Sequence, residues 1–352
     1  FQHLLVKQHT PKSSCILAAN IDGIVGDELF IGGSKGKPSS IWFQNSEGKY
    51  MPVQFLDTEY DDVAAVFFDV DQDGDLDLYV ASGGNRFEEG SANYQDRVYL
   101  NNGSGMFAKG EGLIPTIHES SSTLAAEDFD KDGDIDVFVG SRLTPKRYPF
   151  LPESTFLINK EGSFQKKFQS LFKGLGMVTS AIWQDVDHDS WKDLVVVGEF
   201  MEITIFKNNK GNLSPMPITW LNNQDENINT FGWWNKIVAT DLDKDGDVDF
   251  ILGNQGTNGF MKPTQERPVY VYTKDYDENG SFDPVLAKYF NTEEGEQLLP
   301  VHSRDDVMKQ LTVLKNDHTS YQDFANVSYE KLLKIKDLSS ETLKASIFES
   351  SY

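Results

Sequence analysis

The 352-residue chain carries 55 acidic against 32 basic residues, a formal net charge of −23, and 39% of its residues are hydrophobic. That apolar content supports a substantial core, which a single propeller or barrel of this length can hold. The acidic excess argues against nucleic acid, whose binding needs basic patches to displace counterions, and gives no support for anionic membrane surfaces; no stretch approaches the ~18 apolar residues of a spanning helix.

In chain order, "FQHLLVKQHT" lacks the basic and long apolar regions of a signal peptide. A chain opening on Phe1 reads as a mature or excised part of a larger protein. The run "QHLLVKQ" at residues 2–8 is a candidate strand for closing a propeller from the opposite chain end. Cys15 in "SSCILAAN" is the only cysteine, so an internal disulfide is excluded and a cysteine-ligated zinc site is not expected. It reads as a small buried hydrophobe.

An acidic run then recurs. "DVDQDGDLDLYVASGG" begins at Asp69, "DFDKDGDIDVFVGS" at Asp128, "DVDHDSWKDLVVVGE" at Asp185, "DLDKDGDVDFILGN" at Asp241 and "DYDENGSFDPVLAKY" at Asp275. The first four starts are 59, 57 and 56 residues apart. A degenerate copy, "AANIDGIVGDELFIGG", covers residues 18–33. Apolar strand-like runs flank each copy, and "RVYLNNGSGMF", "TFLINKEGSF" or "ITIFKNNKGNL" follows as strand, Asn/Gly turn, strand. Repeats of four short strands are the signature of propeller blades. The expected fold is an all-β propeller over residues 1–300, with five or six blades in this chain and six to seven if the ring closes.

From "SRDDVMKQLTVLKN" the pattern changes. Ser303 is a candidate N-cap with Asp306 three residues on and apolar Val307, Leu311 and Leu314 following. Together with "SYQDFANVSYEKLLKIKD" and "SSETLKASIF", this predicts a small helical tail over residues 301–352, leading into a further C-terminal region.

Five aspartates alternating over nine positions repel one another unless a cation neutralises them. Calcium takes six to eight oxygen ligands at ~2.3–2.6 Å, and a tight loop supplies them from carboxylates at positions 1, 3, 5 and 9 and a carbonyl at position 7, with glycine at position 6 for the turn. The first loop offers Asp69, Asp71, Asp73 and Asp77 with the Asp75 carbonyl and Gly74; the second Asp128, Asp130, Asp132 and Asp136 with Asp134 and Gly133; the fourth Asp241, Asp243, Asp245 and Asp249 with Asp247 and Gly246. In the third loop Asp185, Asp187, Asp189 and Asp193 remain, but Ser190 replaces the glycine and Trp191 holds position 7. The fifth offers Asp275, Asp277, Asn279 and Asp283, with Gly280 and the Ser281 carbonyl. Calcium is expected in the three full loops and in up to five. The competing readings are solvated turns and an EF-hand; the latter needs glutamate at position 12, where the first loop has Val80, and flanking helices. Without these loops the acidic and basic residues nearly balance.

These motifs resemble the FG-GAP or VCBS repeat family, the calcium-loop propellers that include integrin α-subunit heads. The fourth copy, "FGWWNKIVATDLDKDGDVDFILGN", opens on Phe231-Gly232 and ends on Gly253-Asn254-Gln255 where the family has Gly-Ala-Pro. The resemblance covers residues 14–290. With the tail, the pattern is also similar to bacterial surface proteins of the ASPIC/UnbV and cartilage acidic protein group. It implies an extracellular or outer-surface location and a binding or scaffold role toward a protein or glycan, without catalysis.

The alternative is a carbohydrate-processing enzyme or polysaccharide-binding component, although H-E-x-x-H and P-loop motifs are missing from the sequence. Trp233, Trp234, Trp183 and Trp191 are candidate stacking platforms, with Trp183 read as core. His118, His188 and His302 are scattered, and His188 reads as exposed. The insertions 85–96 and 142–153 carry Arg86, Arg142, Lys146 and Arg147, read as solvated charge or as contacts to an anionic partner.

Overall fold

In the computed structural model, which describes residues 15–278, 282–334 and 342–352, each repeat copy lies between two antiparallel strands. A leading blade pairs Ile16–Ala19, Glu28–Ile31, Ser40–Gln44 and Tyr50–Phe55 in that order. Blade one pairs Asp62–Phe68, Asp77–Ser82, Arg97–Asn101 and Phe107–Lys109, with the first acidic loop between its first two strands. Blade two pairs Ser120–Glu127, Asp136–Leu143, Thr155–Lys160 and Ser163–Lys167 around the second loop. Blade three pairs Met177–Gln184, Asp193–Met201, Thr204–Asn208 and Leu213–Pro215, and Gly232–Trp233 joins the end of its second strand. Blade four keeps the two strands flanking the fourth loop, Lys236–Thr240 and Asp249–Gly253. From the leading blade to blade four, the first strands lie side by side, as blades about an axis do.

The second strands read as continuous apolar runs because both of their faces are buried. Leu78 and Val80 pack toward the leading blade, while Tyr79 between them packs toward blade two. Val137 and Val139 face blade one, and Phe138 faces blade three. Leu194 and Val196 face blade two, and Val195 and Val197 face blade four. The two-residue period of a strand thus delivers alternate side chains to two separate cores. Cys15 is packed beside the first of these, where burial and the nearby Asp62 carboxylate push its thiol up to about 12.

The fifth loop belongs to a sheet ordered Gly295–Pro300, Asp283–Thr292, Val269–Lys274 and Thr342–Ala345. One face of it, with Val269, Val271, Leu286 and Ala345, packs on Leu143, Met177, Phe200 and Trp233 of blades two and three and their edge. The other face is covered by helices Arg304–Gln310, Tyr321–Ala325 and Tyr329–Leu333 through Val307, Met308, Phe324 and Leu332. Ser303 caps the first helix as expected, its Oγ accepting from the Asp306 N–H, and Val307, Leu311 and Leu314 are buried.

One part of the tail differs from expectation. Within "SSETLKASIF", Thr342–Ala345 is a strand antiparallel to Val269–Lys274, not a helix. Leu343 and Ala345 alternate toward the core shared with Trp233, and the open edge of Val269–Lys274 supplies ladder partners that an isolated short helix lacks. The candidate closing strand at residues 2–8 lies outside the described residues.

Candidate metal centres

Each acidic loop folds on its own carboxylates. The position 1 aspartate accepts from the N–H of position 6: Gly74 to Asp69 at 3.0 Å, Gly133 to Asp128 at 3.2 Å, Ser190 to Asp185 at 2.8 Å and Gly246 to Asp241 at 3.3 Å. The position 9 aspartate accepts from the N–H of position 2, as Val70 donates to Asp77 at 2.8 Å and Leu242 to Asp249 at 2.8 Å. Closing so short a loop needs left-handed backbone twice. Position 6 adopts φ of +94°, +97° and +101° at Gly74, Gly133 and Gly246, and Ser190 follows at +71°. Position 4 is left-handed as well, at Gln72, Lys131, His188, Lys244 and Glu278, a requirement the sequence hid because none of these is glycine.

The closure gathers carboxylate oxygens within 4.8 Å of one another in five groups: Asp69, Asp71 and Asp77; Asp128, Asp130 and Asp136; Asp185, Asp187 and Asp193; Asp241, Asp243 and Asp249; Asp275, Asp277 and Asp283. Positions 1, 3 and 9 are thereby brought together. The position 5 residues Asp73, Asp132, Asp189 and Asp245 stand outside these groups, each accepting from the position 7 N–H of Asp75, Asp134, Trp191 or Asp247. In the fifth loop Asn279, Gly280 and Ser281 lie outside the described residues.

The donor set fits a hard divalent cation. Asp69 Oδ1, Asp130 Oδ1, Asp187 Oδ1 and Asp277 Oδ1 are buried and have no hydrogen-bond partner. A buried anionic oxygen without a donor is costly, and a cation among three such carboxylates satisfies it. The crowding also shows in proton affinity. Burial, reinforced by the neighbouring aspartates, pushes Asp136 up to about 8 and Asp77 up to about 6. Asp71, Asp130, Asp193 and Asp283 are raised for the same reasons.

Sequence reading missed a supporting layer. The N–H groups of Asn101, Asn159 and Asn208, at or one residue before the end of the third strand of each blade, donate to Oδ1 of Asp77, Asp136 and Asp193 at 2.7, 2.9 and 2.8 Å. Their side-chain amides donate to the Ile21, Val70 and Phe129 carbonyls of the preceding blade at 2.8, 2.8 and 2.7 Å. Gly211 of blade three sits so close to the second loop that a Cβ there would meet Asp130 Cβ at 2.7 Å. The repeated "NNGSG", "NKEG" and "NNKG" carried this signal, which reads as a turn when taken alone. In the fifth-loop sheet, Gln310 of the first tail helix replaces the asparagine, donating to Asp283 Oδ1 at 2.7 Å.

The loops also touch across blades. Gln72 donates to Asp134 at 2.8 Å, the Lys131 ammonium lies 4.3 Å from the centre of the Trp191 ring, and His188 Nε2 is 3.9 Å from Asp247. In all three cases position 4 of one loop meets position 7 of the next, and His188 is exposed as expected.

The other candidates are placed differently. Trp233 and Trp234 are only 2% and 1% exposed, so they fill cores and offer no stacking face. Trp183 packs in the core between blades two and three and donates to the Ala125 carbonyl at 3.1 Å. The insertion cations are not simply solvated. Arg142 is buried and paired with Glu199, Arg86 pairs with Asp61 at 2.8 Å, and Arg147 pairs with Glu89 at 3.2 Å while lying against Phe150 and Phe282. The Lys146 backbone N–H donates to Asn85. Arg142 and Arg147 thereby tie blade two to blades three and one. His302 is partly buried and pushed down to about 4 by desolvation, its Nε2 accepting from the Leu286 N–H.

No helix among the described residues is long and apolar enough to cross a membrane. A search of curated proteins gives no significant match. A family model described as the FG-GAP-like repeat matches residues 69–139 and 185–252, segments that begin at the first and third loops and run into the strands that follow the second and fourth. The chain therefore carries FG-GAP-like repeats over those segments.

Proposed function

We propose that the protein is a calcium-stabilised, extracellular β-propeller module that binds or organises a protein or glycan partner and has no catalytic activity of its own. The observation that supports calcium most directly is the recurrence, in the first, second and fifth loops, of a buried carboxylate oxygen with no donor inside a three-aspartate group. Asp69, Asp71 and Asp77, with their counterparts in the second, fourth and fifth loops, would hold the ion. When bound, it supplies positive charge that cancels the mutual repulsion of the carboxylates. An exterior location, where calcium is plentiful, suits loops of this chemistry, as does the family resemblance.

A binding role fits the way the carboxylates are used. Those in the loops are committed to loop closure and to one another, which leaves them poorly placed for general acid or base work. The tryptophans expected to serve a glycan site are mostly buried, so a glycan reading has no aromatic platform at Trp233 or Trp234.

Thermal unfolding in chelator and in calcium tests the reading. A ligand that binds only the folded state stabilises it by about 2.7 kcal/mol at a hundredfold excess over Kd, so calcium should raise Tm by several degrees. An unchanged Tm in a metal-stripped preparation would sink the calcium component.

A further inference from the structure

We infer that the third loop takes no metal ion and is closed instead by the ammonium of Lys207, a cation built into the chain; this rests on the calcium reading of the other loops. Lys207 lies on Thr204–Asn208, immediately before the asparagine that holds Asp193. The equivalent residues of blades one and two, before Asn101 and Asn159, are Leu100 and Ile158. In blade three the side chain turns into the acidic loop. Its Nζ is 3.0 Å from Asp189 Oδ2 and closer still to Asp187 Oδ2. Those are positions 5 and 3 of the loop, two of the carboxylates that a calcium loop gives to its ion.

The two cations exclude each other. Calcium at ~2.3–2.6 Å from the position 3 and 5 oxygens occupies the space through which the ammonium bonds them. With three donors the ammonium serves several oxygens from one point.

Other departures of this loop agree with a metal-independent closure. Ser190 stands where the first, second and fourth loops have glycine, and Trp191 brings a bulky ring to position 7. A second lysine seals the outside: Lys131 of the second loop donates to the Ser190 carbonyl at 2.8 Å and lies over the Trp191 ring. The sequence that departs most from a calcium loop is thus the one that receives two ammonium groups.

The test uses the full chain, stripped with chelator and titrated with calcium, with bound ions counted by native mass spectrometry. Lys207→Leu, which restores the side chain of blade one, should bind one more ion than the wild type, and Lys207→Arg should keep the wild-type number. Terbium in place of calcium, excited through tryptophan, locates the added ion. Wild type and Trp191→Phe should give the same emission, whereas Lys207→Leu should gain emission that Trp191→Phe removes. Equal non-zero counts in wild type and Lys207→Leu overturn the inference while leaving the calcium reading intact. So does wild-type emission that falls in Trp191→Phe, a comparison that stands even if Lys207→Leu does not fold. A chain that binds no ion in either form overturns both.

Discussion

The ammonium of Lys131 and the indole of Trp191 belong to loops in different blades, yet they lie 4.3 Å apart, face to charge. The pair is one rung of a set in which Gln72 meets Asp134 and His188 meets Asp247. The rungs differ chemically and share a geometry, because left-handed backbone at position 4 throws its side chain toward the following loop. Exchanging Lys131 for Ala should destabilise the protein by about 0.5–1 kcal/mol, the size of a partly exposed cation–π contact. The same exchange in a Trp191→Ala background should cost less. Denaturant unfolding of the four proteins of that cycle measures the coupling, and strictly additive losses would mean that the contact contributes nothing.

Gly211 makes a sharper prediction about the second loop. Its φ is +80° and an added Cβ would meet Asp130. Gly36 has φ +82° with open space around the same position. Alanine at either site should cost about 1–2 kcal/mol of backbone strain. Alanine at 211 should in addition weaken calcium binding, since it displaces a ligand. Calorimetric titration separates the cases, and equal affinities in the two variants would refute the role of Gly211.

Proton linkage has a definite sign here. Asp136 at about 8 and Asp77 at about 6 hold protons in the folded metal-free protein at a pH where the unfolded chain, near 3.8, has released them. Buried Asp96, raised to about 7 by desolvation, adds to this. The folded state binds more protons between about pH 4 and pH 8, so these groups make chelated protein less stable as pH rises through that window. Tm measured in chelator should fall accordingly, and Asp136→Asn should flatten the slope. A metal-free Tm that rises across the same range in the wild type and is unaffected by Asp136→Asn would contradict the assignment.

Trp234 distinguishes core from binding site. It is buried between blades three and four and donates to the Thr230 carbonyl at 2.9 Å. Trp234→Ala should cost about 3–5 kcal/mol, as large aromatic truncations in cores do. A variant of wild-type stability that loses glycan binding would instead restore the tryptophan to a recognition surface.

The blades and loops were legible because they obey local rules that repeat. Alternating aspartates between apolar runs, with glycine at position 6 in all but the third, mark the same strand–loop–strand unit in the five acidic copies. Trp233 and Trp234 were not legible, because a pair of aromatics beside a strand looks alike whether it faces solvent or a neighbouring blade. The strand Thr342–Ala345 was hidden for a related reason: its partner lies some seventy residues back, at Val269–Lys274, and "TLKA" alone satisfies a helix as readily. Lys207 eluded reading because its significance lies in a loop on another hairpin.

The asparagines at the ends of the third strands have a consequence for how such a protein can be rearranged. Asn159 holds its own loop through Asp136 and the preceding blade through the Val70 carbonyl, and Asn208 repeats the pattern one blade on. Each blade thus carries half of a joint whose other half belongs to its predecessor. A blade excised and grafted elsewhere would leave a carbonyl behind without its donor and arrive with an amide that has nothing to grip. The smallest transplantable unit is therefore a consecutive pair, read in one direction only.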